Sequence, residues 1–222
     1  MKAPRGWELY LVTDRGLARG RSVEEIVAPA LRGGVAAVQL REKDCATRDF
    51  VELGRALGRL LAPLDVPLIV NDRVDVALAI GAAGVHLGQR DMGYASARRL
   101  LGPDAVIGLS VESAGQARAA ESLDAAYLGV GPVFPTATKP DAAPALGLAG
   151  LAAVRAVSRH PLVAIGGIGA GNARQAVEAG ADGVAVVSAI CSADDPEAAA
   201  RELRLAVDAA LRARRAAWQG NK

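Results

Sequence analysis

Eight short aliphatic runs recur along the chain, each followed by a longer stretch of helical character. The runs are Leu9–Val12, Val35–Leu40, Pro67–Val70, Gly84–Leu87, Val106–Ser110, Ala126–Val130, Pro161–Ile165 and Gly183–Val187. They are continuous rather than alternating, as parallel strands covered on both faces must be. After them the pattern predicts helices over Val23–Arg32, Thr47–Leu61, Val74–Ile80, Tyr94–Leu101, Ala114–Ser122, Leu148–Val157, Ala173–Ala179 and Pro196–Leu211. Eight βα units in 222 residues point to α/β architecture closed as a single (β/α)8 TIM barrel. A doubly wound open sheet seldom needs eight such regular units. The expectation is one domain over residues 1–222, its basic end from about residue 212 frayed and exposed.

Short glycine turns lead into alternate strands, at Gly33-Gly34, Gly81 to Gly84 and Gly180 to Gly183, a weak internal echo of a βαβα repeat. No stretch free of Asp, Glu, Lys and Arg exceeds 14 residues. A membrane-spanning helix needs about 20 apolar residues, so none is expected. No apolar leader segment precedes Leu9, and Cys45 and Cys191 lack metal-ligand spacing. They read as free thiols, and the expected location is the cytoplasm. Basic and acidic residues nearly balance, 26 against 24, and aromatics are only 3%. Neither an electrostatic footprint nor a stacking platform for nucleic acid is present. Small molecules are the expected partners, and assembly into a homo-oligomer is compatible with the sequence.

Active sites of such barrels lie at the C-terminal ends of the strands. Every predicted strand here leaves into polar or glycine-rich residues: Thr13-Asp14-Arg15, Gln39 to Asp44, Asn71-Asp72-Arg73, His86 with Gln89 and Asp91, Ser110 with Glu112, Gly131 to Lys139, Gly166-Gly167, and Ser188. Many of the turns leading into strands hold only Gly, Ala or Pro. Lysine occurs only at Lys2, Lys43, Lys139 and Lys222, so the two internal lysines both stand at strand exits. Gln39, Arg41 and Lys43 suit an anion grip, a guanidinium fork beside a point charge, against a solvated loop in which Glu42 pairs locally. Asn71-Asp72 suits an N-cap pair opening the third helix. With Asp91 one strand over, Asp72 also suits a two-carboxylate Mg²⁺ site. Gly166-Gly167 and Val187-Ser188 follow strands seven and eight, a frequent phosphate site in these barrels. The glycine string from Gly166 lacks the dinucleotide spacing. His86 reads as a hydrogen-bonded core group rather than a base. No nucleophile–base pair emerges.

The motifs Tyr10-Leu11-Val12-Thr13-Asp14, Gln39-Leu40-Arg41-Glu42-Lys43, Asn71-Asp72-Arg73, Val85 to Asp91, Gly129 to Lys139 and Ile165-Gly166-Gly167-Ile168 stand in one order over nearly the whole chain. Together they closely resemble the thiamine-phosphate synthase family. The resemblance implies a Mg²⁺-dependent transferase that joins 4-amino-2-methyl-5-(diphosphooxymethyl)pyrimidine to a thiazole phosphate, releasing thiamine phosphate and pyrophosphate through a pyrimidine-stabilised cation. It implies that Gln39, Leu40, Arg41, Glu42, Lys43 and Asn71 hold the pyrimidine diphosphate, Leu40 and Glu42 through their backbone. It implies that Asp72 and Asp91 bind Mg²⁺, and that Ser110 and Lys139 contact the diphosphate. Thr136, Ala137, Thr138, Gly167, Val187 and Ser188 would cradle the thiazole phosphate. Arg41, Lys43 and Lys139 would be the catalytic cations. Two relatives of the same fold are the alternatives. A thiazole tautomerase-like protein would carry a histidine where this chain has Pro132. A catalytically silent barrel would bind thiamine precursors without turnover.

Overall fold

The structure is a computed structural model that describes residues 7–138 and 143–220, with side chains to Ala217. The strands close in chain order into one parallel barrel: β1 (Leu9–Val12), β2 (Ala37–Leu40), β3 (Leu68–Asn71), β4 (Gly84–Leu87), β5 (Val106–Val111), β6 (Tyr127–Val130), β7 (Leu162–Ile165) and β8 (Gly183–Val186). The ring shuts where Leu9, Tyr10 and Leu11 pair with Val184, Ala185 and Val186. The helices are α1 (Val23–Arg32), α2 (Thr47–Leu61), α3 (Val74–Ile80), α4 (Tyr94–Leu101), α5 (Ala114–Ala120), α6 (Gly147–Val157), α7 (Ala170–Glu178), α8 (Ser188–Cys191) and α9 (Pro196–Gly220). Among the described residues no helix is long and apolar enough to cross a membrane.

Successive strand residues point to opposite faces, and both faces are filled. Leu9, Leu11, Val38, Leu40 and Val70 point outward into the main core, packed under the helices. Tyr10, Val12, Ala37, Ile69, Tyr127, Val163 and Ala185 point inward and form a second cluster with Trp7. This is why the runs read as continuous. Trp7, just before β1, lies against Tyr127 at a centroid distance of 4.2 Å and Tyr10 at 5.5 Å.

Local chemistry sets the helix ends. Ser22 and Glu25 cap α1 reciprocally, and Asp195 accepts from Glu197 N and Ala198 N at the start of α9. Gly34, Gly81 and Gly180 all adopt positive φ where a helix turns into a strand, a conformation that costs glycine nothing.

Two expectations are corrected. Asn71 is the last residue of β3, and α3 starts behind Arg73 with no side-chain cap. The Asn71-Asp72 pair is therefore not an N-cap. The basic C-terminal end continues the last helix beyond Leu211, and it is not simply exposed. Arg214 Nη1 donates to Val177 O and Ala181 O, and Nη2 to Asp182 at 2.7 Å. Asp182 also accepts from Arg155, so two arginines fasten the α7–β8 turn from the helical layer.

Candidate active site

The strand exits surround one cavity of about 550 Å³. Gln39, Arg41, Lys43, Asn71, Asp72, Asp91, Ser110, Thr136, Thr138, Gly167, Val187 and Ser188 all line it. Ala137 lines a shallower depression that shares Thr136, Thr138, Gly167 and Ser188 with the cavity. Leu40 and Glu42, expected to act through their backbone, do not put side chains on the wall. Leu40 is fully buried and faces the helices, the outward parity next to inward Gln39. Glu42 is taken up by Arg15 of the β1 exit, 3.3 Å away, rather than by a neighbour in its own loop. Lys139 lies outside the described residues.

On one side of the mouth cations and carboxylates interleave. Lys43 Nζ sits 2.5 Å from Asp72 Oδ2, and Arg41 Nη1 donates to Asp14 Oδ2 at 2.8 Å. Thr13 Oγ1 accepts from Arg41 N at 3.1 Å, so the β1 exit holds the β2 exit by backbone and side chain together. The Asp72 and Asp91 carboxyls hydrogen-bond to one another. Burial raises the pKa of Asp72, but the contacts with Asp91 and Lys43 outweigh it and hold the group below its ordinary value. Burial and the shared bond with Asp72 push Asp91 up. Asp91 Oδ2 also accepts from Gly88 N at 2.7 Å, which fixes its direction. Asp72 stands at φ +62°, a left-handed conformation that Asp tolerates better than most side chains. That backbone turn carries its carboxylate to the cavity.

Two facing carboxylates need a proton or a cation between them. Among the described residues no third His, Cys, Asp or Glu joins them. Hard oxygen ligands few in number, with space for water and phosphate, are what Mg²⁺ accepts. The residues present fit that ion.

Across the mouth, Gly166 and Gly167 leave β7 with φ of +96° and +62°. A Cβ at Gly167 would lie 2.4 Å from Pro135 O, so the β7 exit packs directly on the β6 exit loop. Asn172, absent from the sequence reading, braces this turn. Its Nδ2 donates to Gly167 O at 2.9 Å, and its Oδ1 accepts from Gly169 N. Ser188 opens the short helix α8, so loops seven and eight and a helix start converge here.

The barrel interior holds His86 as the hydrogen-bonded core group expected of it and adds Tyr127, which the sequence did not single out. His86 Nδ1 meets Tyr127 OH at 2.9 Å, and Nε2 meets Ser110 Oγ at 2.9 Å. Tyr127 OH also meets Tyr10 OH. Burial pushes the His86 pKa down to about 4. The imidazole is therefore a neutral hydrogen-bonding group near pH 7.

Against this geometry, the family model for thiamine monophosphate synthase matches residues 9–190. The chain belongs to the thiamine monophosphate synthase family. It is 56% identical over 201 residues to the thiamine-phosphate synthase of Albidiferax ferrireducens, covering 90% of this chain and 92% of that one. It is 52% identical over 198 residues to that of Syntrophomonas wolfei, covering 89% and 95%. Among solved structures, the thiamine phosphate pyrophosphorylase of Pyrococcus furiosus is similar with a TM-score of 0.84 and 42% identity, covering 92% of this chain and 97% of that one. Matches of this breadth span every strand exit described above. Within this family frame, the cationic and acidic side of the mouth and the glycine-lined side are two halves of one site.

Proposed function

We infer that this chain is a thiamine-phosphate synthase. It joins 4-amino-2-methyl-5-(diphosphooxymethyl)pyrimidine to a thiazole phosphate and releases thiamine phosphate and pyrophosphate. One observation carries the reading: a single cavity gathers Arg41 and Lys43, the Asp72–Asp91 pair and, opposite them, the Gly166-Gly167 and Ser188 turns. Two anionic substrates can face each other there. A tautomerase-like histidine is not favoured, since Pro132 stands on the wall of the β6 exit.

The chemistry follows from what the site can stabilise. The methylene carbon–oxygen bond of the diphosphate breaks, and its electron pair leaves on pyrophosphate. The ring-nitrogen lone pair of the thiazole then closes a carbon–nitrogen bond to the methylene. No protein nucleophile is required. Arg41 and Lys43 supply positive charge where negative charge grows. Asn71 and Gln39 orient the pyrimidine side. Thr136, Thr138, the Gly167 backbone and the Ser188 hydroxyl would receive the thiazole phosphate. Asp72 and Asp91 would hold Mg²⁺, which when bound neutralises diphosphate charge. The cytoplasm, where phosphorylated intermediates are retained, is the proposed location.

The test is a mass-spectrometric assay of both substrates with and without Mg²⁺, on the wild type and on Asp72→Asn and Asp91→Asn. Thiamine phosphate and pyrophosphate should form in equal amounts, with either variant slowed about 10²-fold or more. Undiminished turnover in chelator would remove the metal from this account, and no product from the wild type would remove the function.

A further inference from the structure

Five side chains from five strands join in one hydrogen-bonded chain inside the barrel. Gln39 Nε2 donates to Tyr10 OH at 3.1 Å, and Tyr10 OH meets Tyr127 OH at 2.9 Å. Tyr127 OH meets His86 Nδ1, and His86 Nε2 meets Ser110 Oγ, each at 2.9 Å. Each hydroxyl owns one proton, and a neutral imidazole owns one. The direction of the first bond therefore sets all the others.

An amide nitrogen can only donate. Tyr10 is buried, and its proton goes to Tyr127, the hydroxyl in reach. Tyr127 then gives its proton to Nδ1. The imidazole carries its own on Nε2 and spends it on Ser110 Oγ. The Ser110 proton is left over, and Ser110 lines the cavity. Run in reverse, the chain would turn lone pairs of Ser110 toward an anion.

We propose that Tyr127 and His86 are positioning residues, which hold the imidazole in its Nε2–H form and so present the Ser110 hydroxyl as a donor to the departing diphosphate. This rests on the reaction inferred above. Packing holds the geometry. A Cβ at Gly108 would come within 2.2 Å of Tyr127 Cζ, and one at Gly129 within 2.9 Å of His86 Cε1. The two glycines leave only enough room for the rings. Burial raises both tyrosine pKa values, so each phenol keeps the proton that the relay needs.

The donor acts on charge that develops in the transition state, so its loss should fall on kcat rather than KM. Two measurements test the chain. The protein has only two histidines, His86 and His160, so ¹⁵N-histidine labelling gives two rings, assigned with His160→Gln. At neutral pH the wild-type His86 should be protonated at Nε2 and bare at Nδ1. The opposite tautomer overturns the proposal, whatever the enzyme does. In kinetics, Ser110→Ala should lower kcat about 10²-fold. Tyr127→Phe should lower it about tenfold, the low end for a partner that orients another group, with both KM values within about twofold. The double variant should be no slower than Ser110→Ala alone. If Tyr127→Phe slows the Ser110→Ala protein as much as it slows the wild type, Tyr127 does not act through Ser110. A wild type that makes no thiamine phosphate would defeat the function and leave the tautomer to decide the chain.

Discussion

Lys43 Nζ lies 2.5 Å from Asp72 Oδ2. The lysine that would meet a diphosphate is thus held by a carboxylate that would meet a metal ion. Nearly half of the lysine side chain is open to solvent, against a quarter for the aspartate. The contact neutralises Asp72 in the ligand-free barrel. On the proposed reading, Mg²⁺ and substrate would take Asp72 from the lysine and leave its ammonium for the phosphate oxygens.

That exchange has a measurable sign. If Asp72 holds Mg²⁺ as proposed, Lys43 would compete for it, and Lys43→Met should tighten Mg²⁺ binding to the substrate-free protein. An exposed pair is worth up to about 1 kcal/mol, which caps the gain at about fivefold. The same variant should lower kcat about 10²-fold, because a charge aimed at the leaving group is gone. Calorimetric titration with Mg²⁺ and steady-state kinetics read the two effects separately. Weaker Mg²⁺ binding in Lys43→Met would show that the lysine assists the metal rather than competing with it.

His86 makes stability depend on pH. Burial lowers its pKa to about 4 in the folded chain, against about 6.5 for an unperturbed histidine. Between those values the unfolded chain binds the proton and the folded one does not. Stability therefore rises with pH through this window: the His86 contribution is complete above about pH 6.5 and is lost as pH falls toward 4. Denaturant melts of the wild type and His86→Gln at several pH values should converge on acidification, with the wild type losing more. Parallel curves would mean that the imidazole is solvated enough to titrate normally.

The barrel was legible because both faces of each strand are buried, which writes an uninterrupted aliphatic run such as Leu9–Val12. The polar exits were legible because they are consecutive in sequence. What could not be read were contacts between strands far apart in sequence. Lys43 and Asp72 are 29 residues apart, and Tyr127 and Tyr10 are 117 apart. Tyr127 left one faint signal, a hydroxyl in an inward position of an otherwise aliphatic strand. Asp72 misled for a physical reason. Asn-Asp before a helix has the composition of a cap, but the left-handed turn at Asp72 leaves Arg73 at the cap position instead. The start of α7 was placed late because Asn172, reaching back to Gly169 N, begins the helix inside the glycine string.

Gly167→Ala should strike the thiazole phosphate side. The residue holds φ +62°, and the added Cβ would stand 2.4 Å from Pro135 O. Relief requires the β6 and β7 exits to separate, at a cost of about 1–3 kcal/mol. The thiazole-phosphate KM should rise more than the pyrimidine KM, and Tm should fall. Ser188→Ala should move the same KM without the loss in Tm, because it removes a donor and adds no bulk. Equal effects on both substrates would place the thiazole phosphate elsewhere in the cavity.

The last prediction concerns Asp14, which touches Arg41 at 2.8 Å and also accepts from Leu17 N. A guanidinium has five donors, and Asp14 takes one through Nη1, which leaves the rest of the fork available for phosphate oxygens. Asp14 thus aims Arg41 and, on the proposed reading, would place a negative charge near the incoming diphosphate. Orientation and repulsion oppose each other, and they fall on different kinetic constants. Asp14→Asn keeps an acceptor for Leu17 N but drops the charge. It should leave the pyrimidine KM unchanged or lower, since a repulsive neighbour is gone. It should lower kcat about tenfold, because an arginine free to swing no longer meets the transition state in one geometry; misplacement of about 1 Å can cost as much as 10²-fold. Asp14→Glu should recover part of kcat by restoring the pair at a shifted position. Steady-state kinetics of the three proteins at fixed, saturating thiazole phosphate separates the two terms. A raised pyrimidine KM with unchanged kcat in Asp14→Asn would show that the aspartate shapes the binding pocket and does not aim the arginine.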